Sequence, residues 1–64
     1  MTDSEIIDTL GGTKVVAAMF GINASAVSNW RAEGIPLRRR FRIARELQAR
    51  GVPVPPDFFE DVAA

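Results

Sequence analysis

The sequence predicts an all-α fold: a compact four- to five-helix bundle followed by an extended, Pro-rich C-terminal tail. Three observations point to it. Apolar residues recur at helical spacing in four successive segments, these segments are punctuated by capping residues and glycines, and no stretch shows the period-2 alternation of a half-buried strand. There is no internal repeat and no low-complexity tract. At 64 residues the chain has room for one small domain with one shared core.

The first helix begins at Thr2-Asp3-Ser4-Glu5, a capping box. In it the Thr2 hydroxyl accepts from the Glu5 amide, and the Glu5 carboxylate reaches back to the cap amide. Ile6, Ile7 and Leu10 supply its apolar stripe and Gly11-Gly12 closes it, so the helix covers about 3–10. Thr13 reads as the cap of a short second helix, Lys14-Val15-Val16-Ala17-Ala18-Met19-Phe20, with Val16, Ala17 and Phe20 on one face and Gly21 as its stop. Ile22 lies between two breakers. Asn23 is then a good cap for a third helix over 24–33, ended by Gly34. Pro36 suits the first position of a fourth helix, in which Leu37, Phe41, Ala44 and Leu47 form the stripe up to Gly51. Val52-Pro53-Val54-Pro55-Pro56 reads as a polyproline-like strap, with one helical turn expected over 57–62. The expected division is a domain of residues 1–51 and a strap with an acidic tail, 52–64.

Composition removes several classes of function. With no Cys and no His, disulfides, Cys/His zinc sites, Cys–His and Ser–His nucleophiles and imidazole acid–base chemistry are all out. The expectation is therefore no enzyme, no cofactor and no metal. Asp57, Glu60 and Asp61 cluster, but in an acidic terminus without the burial that would separate their pKa values. The longest apolar run, Val15 to Phe20, is far short of the roughly 20 residues of a membrane span, so no membrane is expected. Met1 to Glu5 is acidic where a secretory signal is basic, which leads us to expect a cytoplasmic protein.

Eight cations balance eight acids, yet they are not mixed. Residues 13–51 hold all eight cations against Glu33 and Glu46, a net +6. Asp3, Glu5 and Asp8 on one side and Asp57, Glu60 and Asp61 on the other make two flanks of −3 each. A net charge of zero thus hides a basic segment between two acidic ends.

The second and third helices, joined by a tight turn at Gly21-Ile22-Asn23, carry the most specific signal. Val16, Phe20, Ile22, Val27 and Trp30 line one inner surface only if the two helices cross steeply, as in a helix-turn-helix, and the small Ala17 permits that approach. With Ala17, Gly21, Ile22, Val27 and Trp30 on its pattern positions, the stretch resembles the helix-turn-helix of the Cro/repressor superfamily, including small bacterial or phage YdaS-like members. The likeness is tight over about 20 residues and looser over 3–50.

The resemblance implies a lambda-repressor-like fold and a regulator that binds double-stranded DNA with its third helix in the major groove. Carried over by position, the base contacts fall on Ala24, Ser25, Ser28 and Asn29. Asn29 suits an adenine edge, the serines suit either kind of pair, and Ala24 or Ala26 suits a thymine methyl. Ala24 departs from the long amide many phage repressors place there, which shifts weight toward DNA shape. The expected phosphate contacts are Thr13, Lys14, Asn23, Arg31, Arg38, Arg39 and Arg42, while Arg45 and Arg50 lie farther along. Thr13 and Asn23 double as caps, and Trp30 is read as core. A homodimer on a pseudo-palindromic site is expected, associated with the bacterial nucleoid when bound. The alternative is an adaptor with the same fold that docks a protein partner through the fourth helix and the Phe58-Phe59 tail. The sequence does not choose between packing of Phe58 and Phe59 on the chain's own core and contact with a second copy, with a slight preference for self-packing of the strap and one of the two phenylalanines.

Overall fold

Four helices form in the computed structural model, which describes residues 1–59: α1 (Asp3–Thr9), α2 (Thr13–Phe20), α3 (Ala24–Glu33) and α4 (Leu37–Ala49). Among the described residues there is no strand, and each helix starts and stops within about two residues of the sequence expectation. The α1 capping box is complete: the Glu5 amide donates to Thr2 Oγ1 at 3.1 Å and the Thr2 amide to Glu5 Oε1 at 2.8 Å.

The other three caps each depart from expectation in residue, bonding or position. Gly12, not Thr13, is the N-cap of α2, and Thr13 is its first helical residue. Asn23 does cap α3, but its side chain makes no capping hydrogen bond. Pro36 sits one position earlier than expected, as the N-cap of α4, with an extended ψ of 140°. It closes the preceding loop and leaves Leu37 to begin the helix.

The core collects Ile6, Ile7 and Leu10 from α1, Val16 and Ala17 from α2, Val27 and Trp30 from α3, Ile35, and Ile43, Ala44 and Leu47 from α4. Phe20 and Ile22 pack against it half-buried. The first three helices pack closely on one another. The fourth joins them through its side chains, and here the expected stripe is corrected. Ala44 and Leu47 are buried, but Leu37 and Phe41 are 46% and 61% exposed. At about 100° per residue the buried arc of α4 runs from Ile43 through Leu47 and Arg40 to Ala44, which puts Leu37 and Phe41 beyond its edge.

The strap folds back onto this core. Residues 52–55 are non-helical and 56–59 form a turn, Val52 and Val54 pack against the core, and Phe58 is 2% exposed. The open question about the two phenylalanines therefore splits: Phe58 completes the chain's own core while Phe59 remains 42% exposed. Glu60 and Asp61 lie outside the described residues, as does the second half of the expected turn over 57–62.

Two carboxylates give the fold a pH signature. The backbone amide and hydroxyl of Thr2 hold the Glu5 carboxyl below its ordinary value of 4.5, and the Arg31 hydrogen bond holds Asp8 below its ordinary 3.8. A folded-state pKa below the unfolded one adds stability that is complete above the unfolded value and is lost as pH falls through the folded value. The melting temperature should be level above about pH 5 and decline below about pH 4, with Asp8→Asn shrinking that decline. Thermal denaturation across this range measures it, and an unchanged profile in Asp8→Asn would show that the pairing contributes nothing.

Candidate nucleic-acid interface

Two helices and the turn between them set the geometry. Gly21 adopts a left-handed conformation, φ 66° and ψ 37°, which a residue with a Cβ rarely takes. There the Ile22 amide donates to the Ala17 carbonyl at 3.0 Å and the Gly21 amide to the Ala18 carbonyl at 3.3 Å, a Schellman closure that ends α2 and points Ile22 back toward the core. Asn23 then starts α3. Its side chain, unused in capping, is exposed at the N-terminus of that helix.

On α3, Val27 and Trp30 face the core, and the opposite side is open. Ala24, Ser25, Ser28 and Asn29 are all exposed there, about 140° of arc in total. Ala26 is half-buried at the margin. Trp30 is 8% exposed and makes an edge contact with Phe20, ring centroids 5.7 Å apart, so it acts in packing rather than as a stacking platform. The outward face thus carries only short side chains. A helix without long obstructing side chains can seat close to a groove floor.

Phe20 links this pair of helices to α4. The Arg39 guanidinium lies 5.1 Å and that of Arg42 5.4 Å from the Phe20 ring centroid, within reach of cation–π attraction. These two arginines are thereby braced against the end of α2. Arg39 Nε is buried with no hydrogen-bond partner, a donor without a protein acceptor. Lys14, Arg38, Arg42, Arg45 and Arg50 are exposed.

Residues 2–48 match the family model of the DNA-binding transcriptional regulator Cro. The chain belongs to the Cro family. No curated protein and no solved structure matches it. The Cro family consists of DNA-binding transcriptional regulators and is not an enzyme family. Among the described residues, no helix is long and apolar enough to cross a membrane.

Not every cation of this Cro-family chain faces outward. Arg31, expected at a phosphate, is engaged inside the fold. Its Nε donates to Thr13 Oγ1 at 3.0 Å, its Nη1 to Ser4 Oγ at 2.8 Å and to the Ser4 carbonyl at 3.2 Å, and its Nη2 to Asp8 at 2.7 Å. One guanidinium thus ties the end of α3 to both ends of α1 and to the start of α2, and occupies the Thr13 hydroxyl as an acceptor. To reach a phosphate, Arg31 must give up some of these bonds.

Arg40 is a second internal cation, and nothing in the sequence separates it from its neighbours in the run Arg38-Arg39-Arg40. It bonds the Ile35 carbonyl, the Phe58 carbonyl and Asp3, and its guanidinium lies over the Phe58 ring. Two of the acidic-flank carboxylates, Asp3 and Asp8, are accordingly paired with cations of the basic segment. The positive charge left for a ligand is concentrated on Lys14 and α4.

Proposed function

We propose that this Cro-family regulator binds double-stranded DNA with a preference for sequence, two copies on one pseudo-palindromic site, each with α3 in the major groove. The observation that carries the reading is the open face of α3, beside which the same chain holds two arginines against Phe20 at the end of α2 rather than in the interior. Asn29, Ser25, Ser28 and Ala24 read base edges and thymine methyls. Lys14, Arg38, Arg39 and Arg42 contact phosphates, helped by the N-terminal ends of α2 and α3 at Thr13 and Asn23. Arg31 contributes chiefly by fixing α3 against its neighbours. The protein acts in the cytoplasm, on the nucleoid when bound, and uses no cofactor or metal.

Selection of bound sequences from a random duplex library tests this reading. The expected product is a pair of inverted half-sites with centres roughly 10 base pairs apart, or a multiple of that. The four cationic phosphate contacts per copy should give a slope of about −3.6 per copy for log K against log salt. Absence of any duplex affinity at about 50 mM salt would refute the reading and favour the protein adaptor, although that alternative has now lost Phe58 to the core.

A further inference from the structure

Three exposed apolar side chains gather on one edge of the molecule. Phe41 and Phe59 stack with centroids 4.9 Å apart and planes 27° from parallel, and Phe59 also meets Phe58 edge-on at 5.4 Å. Even so stacked, Phe41 stays 61% and Phe59 42% exposed. Leu37, 46% exposed, lies one helical turn before Phe41 on α4. Stacking orders the two rings without covering them, which leaves a flat aromatic surface in water.

We infer that this edge, Leu37, Phe41 and Phe59, is the face through which two copies of the chain meet. The inference rests on the two-copy reading above and supplies its interface. Three observations select a second copy as the occupant. First, the edge is separate from the DNA side: at about 100° per residue, Arg42 and Arg39 lie roughly 100° to 160° around α4 from Phe41, so pairing there leaves both free for phosphates. Second, the molecule measures 28 × 26 × 17 Å, so two copies whose reading helices are about 34 Å apart lie side by side, close enough for an edge of each to meet. Third, the rim carries both signs, Arg45 on α4 and Asp57 beside the two phenylalanines, both exposed. A two-fold axis can set one copy's cation against the other's carboxylate.

The area sets the strength. The exposed parts of the two rings amount to about one whole phenylalanine, and with Leu37 the apolar surface is on the order of 250–300 Å² per copy. A standard stable interface takes about 800 Å² per partner. Pairing is therefore weak in free solution, with Kd between about 10 μM and 1 mM, and becomes effective when two adjacent half-sites hold the copies together.

Analytical ultracentrifugation without DNA, from about 10 μM to 1 mM protein, tests the interface. The average mass should rise from 7.0 kDa toward twice that value. Phe41→Glu should stay monomeric across the range with an unchanged circular dichroism spectrum. Leu37→Glu, which leaves the phenylalanine stack in place, should weaken pairing at least tenfold and guards against misfolding of the first variant. On DNA, both variants should match the native chain on a single half-site and lose about tenfold or more on the paired site. A native chain still monomeric at 1 mM, or equal pairing in both variants, would overturn the inference and mean that something else covers this edge. Because sedimentation needs no duplex, a chain that pairs through this edge yet binds no DNA would sink the DNA reading and leave the interface standing.

Discussion

Replacing Arg40 by alanine is expected to cost about 2–4 kcal/mol of folding stability, the largest loss among the α4 arginines. Its guanidinium donates to the Ile35 carbonyl at 2.8 Å, to the Phe58 carbonyl at 2.8 Å and to Asp3 Oδ2 at 2.9 Å, and lies 4.9 Å from the Phe58 ring centroid. Asp3 Oδ2 also accepts from the Ile35 amide at 2.8 Å, so one carboxylate and one guanidinium join the start of α1, the α3–α4 loop and the folded-back strap. The Arg40 side chain is 17% exposed and that of Asp3 22%, which keeps the estimate below the value for a fully buried pair. A domain of this size has a total stability of only about 3–10 kcal/mol, so the melting temperature should drop by roughly 10–25 °C. Arg40→Lys should recover little, because an ammonium cannot make the forked set of bonds. Arg38→Ala, at an exposed neighbour, should move the midpoint by only a degree or two. Similar midpoints for Arg38→Ala and Arg40→Ala would refute the clamp.

That contrast also shows which parts of the molecule the sequence discloses. Helix bounds are local: a capping box at Thr2 to Glu5, a glycine after Phe20 and a proline before Leu37 act within a few residues, and each does so here within a residue of its expected place. Core membership in α1 to α3 is nearly as local, because Ile6, Ile7, Val16, Val27 and Trp30 have no polar competitor at their positions. On α4 the pattern is ambiguous. Leu37–Phe41–Ala44 and Ile43–Ala44–Leu47 are both valid helical stripes, and only packing against the other helices selects the second. Arg40 extends that ambiguity to charge. An arginine inside a basic run reads as solvated until Asp3 and the Phe58 carbonyl, far away in the chain, are brought to it. The same holds for Arg31, whose acceptors Ser4 and Asp8 lie on α1. The exposed residues of α3 were legible for the opposite reason: a surface face needs no partner to be recognised, only a buried face opposite it.

The roles assigned on that face should separate in a binding experiment. Asn29 is the only residue among Ala24, Ser25, Ser28 and Asn29 with an amide long enough for a bidentate bond to adenine. Asn29→Ala should therefore weaken the selected site by roughly five- to 150-fold, corresponding to about 1–3 kcal/mol, and leave random duplex nearly unaffected. Arg39→Ala should behave differently. Its guanidinium, resting on Phe20 at 5.1 Å, addresses a phosphate that every sequence presents at the same place. Affinity for the selected site and for random duplex should fall together, and the salt slope should become less negative by about 1. Removing Arg39 also uncovers part of the Phe20 ring that meets Trp30, so Trp30 fluorescence checks that the fold is intact before the affinities are compared. If both variants lose the same factor on both kinds of duplex, Asn29 reads no base. If Arg39→Ala loses only the selected site with an unchanged salt slope, Arg39 is the base-reading group and α4, not α3, lies nearer the groove floor.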